Sequence, residues 1–146
     1  MPNKITVAEH SGFCFGVKRA TDAVEKRLLE KREGERIYTL GHLIHNEGYN
    51  RYLEEQGVRS ICAEDISLIC DESDENHPSV VFIRAHGIPV ETEKILAECK
   101  KNNPFFDYVD LTCPYVKKIH RIAAEHAGDK DGFVLIGAPD HPEVLS

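Results

Sequence analysis

Along the chain, short β-branched apolar runs alternate with longer stretches whose apolar residues recur at helical spacing. Ile5-Thr6-Val7-Ala8 is the first short run and predicts a strand. Val17, Ala20, Val24 and Leu28 then follow a helical period, predicting a helix from Val17 to about Glu33 that stops at Gly34. Residues 36–40 predict a second strand, followed by a turn from Gly41 to Asn46. A short helix over 47–56, ended by Gly57, leads into a further strand at 58–61. The acidic stretch from Asp71 to Asn76 reads as a solvated loop. Ser79 to Ile83 contains Val-Val-Phe-Ile, the continuous apolar run of a strand covered on both faces. Pro89 suits the first position of a helix reaching Lys101. Tyr108-Val109-Asp110 predicts a short strand, and Pro114 opens a helix carrying Val116, Ile119 and Ala123. Phe133 to Ile136 predicts the last strand.

This alternation implies an α/β fold, a mostly parallel sheet with helices on both faces. In such sheets ligands bind beyond the carboxyl ends of the strands. Five of the expected strands exit into Cys14, His42/His45, His86, Cys113 and His141/Glu143. The expected topology thus gathers cysteine, histidine and glutamate along one rim.

The cysteines divide by surroundings. Cys14, flanked by Gly12 and Gly16, falls at an expected strand-to-helix turn, and Cys113 repeats that setting with Pro114 behind it. A helix start stabilises negative charge by about 0.3–1 kcal/mol, which favours a thiolate, the form that binds soft metals. For Cys14 alone, a small apolar residue in a buried turn is the competing reading. No Cys-x-x-Cys spacing is present, which weakens redox-dithiol and zinc-ribbon readings. Cys99 shares a helical face with Ile95 and reads as core, while Cys62 and Cys70 flank a loop and read as structural.

Among the histidines, His45 and His86 stand just before expected helices, beside Asn46 and Gly87. Imidazole and backbone N–H groups there can hold a phosphate oxygen. The alternative, His42-x-x-His45 as part of a zinc site, requires both rings to face one way from a non-helical turn. His141-Pro142-Glu143 places an anion contact and a proton donor two residues apart.

A net charge of −7 and a pI near 5.6 argue against non-specific binding to nucleic acid or anionic membranes. An anionic substrate must therefore be held by local donors. No apolar run approaches transmembrane length, and Met1-Pro2-Asn3-Lys4 leads directly into the first expected strand. The expectation is a cytoplasmic protein without a signal or transit peptide, whose five cysteines stay reduced.

With these residues in hand, the chain resembles the LytB/IspH family of 4-hydroxy-3-methylbut-2-enyl diphosphate reductases. The resemblance rests on Gly12-Phe13-Cys14-Phe15-Gly16-Val17-Lys18-Arg19-Ala20, Ile44-His45-Asn46, Arg84-Ala85-His86-Gly87, Asp110-Leu111-Thr112-Cys113-Pro114 and His141-Pro142-Glu143-Val144, in the family's order. It implies a trefoil of three α/β lobes, each giving one cysteine to a central 4Fe-4S cluster. Cys14 and Cys113 match the first two metal ligands. His45, His86 and His141 match the substrate-binding histidines at the diphosphate end, and Glu143 matches the catalytic acid of the proton route. The implied reaction is reductive dehydroxylation to isopentenyl and dimethylallyl diphosphate in the methylerythritol phosphate pathway of isoprenoid biosynthesis. Its electrons come singly from a ferredoxin- or flavodoxin-type donor.

Leu111 stands where the family usually has alanine. The family also continues past His-Pro-Glu-Val. The chain is therefore expected to be an amino-terminal fragment, inactive alone, with residues 1–105 as the first lobe and 106–146 as the start of a second. The third cysteine ligand is expected beyond the end of the chain. A quinolinate synthase-like cluster enzyme and a metal hydrolase using His42, His45, His86 and His141 are the rival readings. The Arg-Ala-His-Gly and His-Pro-Glu elements favour the reductase.

Overall fold

A strand reading Val80-Val81-Phe82-Ile83 has no polar face to show water, and each of these side chains is at most 2% exposed. The computed structural model describes residues 5–9, 11–126, 128, 134–139, 141 and 144. In it, β3 (Ser79–Ile83) is an inner strand of a four-stranded sheet with β1 (Arg36–Leu40), β2 (Val58–Ile61) and β4 (Phe106–Asp110). The order is β2-β1-β3-β4 and every pairing is parallel. Register runs from Arg36↔Ser79 to Leu40↔Ile83 on one side of β3 and from Ser79↔Phe106 to Ile83↔Asp110 on the other.

Successive strand side chains point to opposite faces, so the sheet feeds two cores. On one face Ile37, Val58, Val80 and Phe82 meet Ala20 and Val24 of α1 (Phe15–Leu29) and Leu53 of α2 (Glu47–Glu55). On the other, Tyr38, Leu40, Ile61, Val81 and Ile83 meet α3 (Ile66–Asp71) through Ile66, Ile69 and Cys70, and α4 (Val90–Asn102) through Leu96 and Cys99. Burying a side chain such as Leu96 contributes about 1.5–3 kcal/mol, so these two layers hold the sheet together. The last helix is α5 (Pro114–His126), with Pro114 at its first position. Cys99 takes the core place expected of it.

Several elements differ from the sequence reading. Residues 5–8 are not a strand, and Ile5 and Val7 are 88% and 72% exposed. With no neighbouring strand among the described residues, their backbone groups gain no ladder there, so β-propensity alone does not make them a strand. Helix α1 ends at Leu29 rather than near Glu33, because the chain folds back so that the buried Glu35 carboxylate pairs with Arg27. Gly34, at φ +75°, marks a close approach rather than the helix stop. A Cβ there would lie 1.9 Å from the Asn76 carbonyl oxygen.

Between Cys62 and Cys70 lie a single 3-10 turn (Ala63–Asp65) and α3 instead of a loop. Six residues are too few to sustain a helix by propensity, so burial of Ile66, Ile69 and Cys70 holds α3 in place. Within the acidic stretch, Ser73 is buried and donates to the Ile69 carbonyl at 2.6 Å. Pro89 caps α4 from outside instead of occupying its first turn. Val134, Leu135 and Ile136 are exposed and not in a strand, while Phe133 lies outside the described residues. Residues 106–110, expected to begin a second lobe, form β4 of this same sheet.

Candidate active site

The strand order creates a switch point. The chain leaves β1 for β2 on one side, while β3 lies on the other, so a crevice opens between the loops that follow β1 and β3. The loop after β1 is anchored by buried Leu43 and Ile44, and the side-chain amide of buried Asn50 donates to the Ile44 carbonyl at 2.9 Å. Asn46 caps α2 by accepting from the Tyr49 N–H at 2.9 Å. His45 is thus exposed on a loop whose neighbours are fixed. After β3, buried Ala85 and the Gly87 N–H to Arg84 carbonyl bond of 3.1 Å shape the turn that carries His86.

The two imidazoles meet across the crevice with ring centroids 4.4 Å apart. His141 joins them, 6.3 Å from His45 and 6.2 Å from His86. The three histidines read from the sequence therefore converge, and a cluster of imidazole N–H donors beside a helix start suits a multi-oxygen anion. His42 goes elsewhere. It lines a small cavity with Thr39, Asn50, Leu53 and Val58, toward α2 and β2. Among the described residues no group of three or more His, Cys, Asp and Glu side chains is placed to hold a metal, so the histidine metal site gains no support. Pro142 and Glu143 lie outside the described residues.

The cysteine turn is tied to the histidine turn. Leu111 N–H donates to the Ile83 carbonyl at 3.2 Å and Cys113 N–H to the Ala85 carbonyl at 2.9 Å, carrying the parallel ladder past the strand ends. Arg19 of α1 donates to the Thr112 carbonyl at 2.6 Å. A Cβ at Gly16 would come within 2.6 Å of the Cys113 sulfur, so this thiol rests on the first turn of α1 in space only glycine leaves open. Cys14 is the N-cap of that same helix. Cys14 is exposed and Cys113 half-buried, each at a helix start.

Two thiols at helix starts have the chemistry of soft-metal donors, and a pair is not a complete ligand set by itself. Cys70 and Cys99 contrast with it. Burial, with Cys70 beside it, pushes the Cys99 thiol up to about 12. Asp110 braces the Cys113 turn by accepting from the Thr112 N–H at 2.8 Å and pairing with Lys117. Burial works to raise its carboxyl, but the bonds from Lys117 and Thr112 outweigh it and hold the group below the usual carboxylate range.

Arg19, Gly16 and Asp110 all stand within the sequence motifs. Their roles depend on reaching a distant turn, which spacing along the chain does not reveal.

The family model described as LytB protein matches residues 5–146. A relative in Alkaliphilus oremlandii, called 4-hydroxy-3-methylbut-2-enyl diphosphate reductase, is 41% identical over 142 residues, covering 97% of this chain and 46% of the relative. A protein of the same name in Aquifex aeolicus is 40% identical over 141 residues, covering 97% and 43%. A solved structure of (E)-4-hydroxy-3-methyl-but-2-enyl diphosphate reductase matches with a TM-score of 0.70 at 38% identity, over 97% of this chain and 44% of that one. The corresponding reductase from Plasmodium falciparum matches with a TM-score of 0.71 at 31% identity, over 94% and 38%. The chain spans a little less than half the length of these relatives.

Proposed function

The chain belongs to the LytB family, and we propose that it supplies the diphosphate-binding histidines and two cysteine ligands of a 4-hydroxy-3-methylbut-2-enyl diphosphate reductase. The observation that carries this reading is the convergence of His45, His86 and His141, with centroids 4.4–6.3 Å apart, on a rim laced to the Cys113 turn. The three imidazoles bind the diphosphate end and orient the substrate toward the cysteines. Cys14 and Cys113, at two helix starts, hold a 4Fe-4S cluster whose remaining cysteine comes from the further length that the relatives carry. When bound, that cluster supplies electrons one at a time and a site for the substrate's hydroxyl oxygen.

Within this reading Glu143 delivers the proton with which the hydroxyl leaves as water, and two electrons with a second proton, taken up at the allyl carbon, complete isopentenyl or dimethylallyl diphosphate. A ferredoxin- or flavodoxin-type protein donates the electrons, and the reaction belongs in the cytoplasm. No helix among the described residues is long and apolar enough to cross a membrane. The first lobe extends through β4, and a second begins after it.

The test is made in the protein at its relatives' length. His45→Ala and His86→Ala raise KM about tenfold or more with a smaller change in kcat, because a diphosphate anchor acts alike in ground and transition states. Cys14→Ser and Cys113→Ser lose cluster iron. Unchanged KM in both histidine variants, or unchanged iron in both cysteine variants, overturns the assignment.

A further inference from the structure

Between the cysteine helix and the histidine helix stands Tyr49, a residue none of the site motifs includes. It lies in the first turn of α2, three residues after the Asn46 cap that receives its backbone N–H at 2.9 Å. Its ring meets Phe13 edge-on, with centroids 6.2 Å apart and planes at 82°. Phe13 is bonded directly to Cys14, and its side of the loop is otherwise open, at 47% exposure. At the other end, the Tyr49 hydroxyl lies 3.1 Å from Glu25 Oε1 and 3.4 Å from the Thr21 carbonyl oxygen, both on α1. The side chain thus touches the loop before α1 and the body of α1, while the backbone of the same residue is held by the cap beside His45.

From this geometry we infer that Tyr49 is a positioning residue that locks the Cys14 loop to the helix start carrying His45. The inference deepens the proposed function and rests on it for the meaning of the two loops. The ring supplies the hold on Phe13, since an edge-to-face pair is directional where an aliphatic contact is not. The hydroxyl adds a polar contact to α1 apart from the hold on Phe13, and its proton stays in place at physiological pH. Burial and the neighbouring Glu25 carboxylate keep the phenol far above its ordinary range. An anion drawn to His45 is then registered at Cys14 through a single rigid ring.

The test compares wild type, Tyr49→Phe and Tyr49→Leu in the 146-residue chain. Iodoacetamide reacts with exposed Cys14 and, as an internal reference, exposed Cys62, while Cys70 and Cys99 are buried. Released from Tyr49, the Cys14 loop samples more open conformers, so Tyr49→Leu raises the Cys14:Cys62 alkylation ratio about threefold or more. Tyr49→Phe keeps the ring and stays near wild type. Saturating inorganic pyrophosphate slows Cys14 alkylation in wild type, and this protection is lost in Tyr49→Leu. Phe13→Leu removes the same contact from the exposed side and reproduces the rise even where Tyr49→Leu fails to fold. A Cys14:Cys62 ratio within about 1.5-fold of wild type in Phe13→Leu, or in a folded Tyr49→Leu, overturns the inference. Absence of pyrophosphate binding in wild type counts against the diphosphate site instead, and the ligand-free ratio still decides the role of Tyr49.

Discussion

Asp110 concentrates at one residue the forces that shape the Cys113 turn. Its carboxylate holds the Thr112 N–H and the Lys117 ammonium, and its side chain is 25% exposed against 52% for Lys117. A hydrogen bond to a charged group is worth about 1.5–3 kcal/mol, but solvent at the lysine screens the pair, so Asp110→Asn should cost about 1 kcal/mol. The pH dependence has a definite sign. A carboxyl held below its ordinary value of 3.8 stabilises the fold fully above that value and loses its contribution as pH falls toward the lowered one. Urea unfolding at pH 7 and pH 3 checks this, with the gap between the two smaller in Asp110→Asn than in wild type. The cysteines provide a second residue-scale outcome. Cys99, its thiol pushed up to about 12 and its side chain buried, stays unlabelled by iodoacetamide at pH 8 in the native chain, while Cys62 reacts. Mass mapping of labelled peptides reads this directly.

At the scale of elements, the contact between α1 and the Cys113 turn decides between two opposed effects at Gly16. Alanine in a helix is favoured over glycine by about 1 kcal/mol. Against that, the new Cβ would lie 2.6 Å from the Cys113 sulfur and 3.0 Å from its Cβ, and overpacking of this kind costs about 1–3 kcal/mol. The clash wins. Gly16→Ala is expected to lower thermal stability and, in the protein at its relatives' length, to reduce iron retention by displacing the thiol. Stability at or above wild type with full iron would refute it. The same contact marks where sequence reasoning ends. β1 and β3 were legible because their apolar runs are buried by sheet and helix together, and α4 and α5 because their helical spacing and prolines are local signals. Residues 5–8 carried the same β-branched signal without a pairing partner, and α3 was too short to signal itself. His45 and His86 were legible as strand exits. Their approach to 4.4 Å follows from the β2-β1-β3-β4 order, which no local pattern contains.

Over the whole molecule, apolar side chains surround the cysteine rim. Phe13 and Phe15, which flank Cys14, are 47% and 64% exposed, and Tyr115, two residues after Cys113, is 72% exposed. Apolar surface left in water forgoes about 25 cal/mol per Å², so a rim of three aromatic rings favours association despite a net charge of −7. The described residues offer two accessible cysteines there and no third ligand of a metal group. A cluster held by only these two thiolates would lack part of its protein ligation and would be readily lost. After anaerobic reconstitution and desalting, the 146-residue chain alone should therefore retain well below the roughly four irons of a complete cluster and show no turnover. Inorganic pyrophosphate should still bind it, because His45 and His86 stand on the sheet's own loops and His141 packs against both, and dilution should shift any oligomer toward monomer. Iron analysis, calorimetry with pyrophosphate and sedimentation at two concentrations separate these outcomes. A monomer holding four irons and reducing the diphosphate substrate would show that these residues complete the site by themselves.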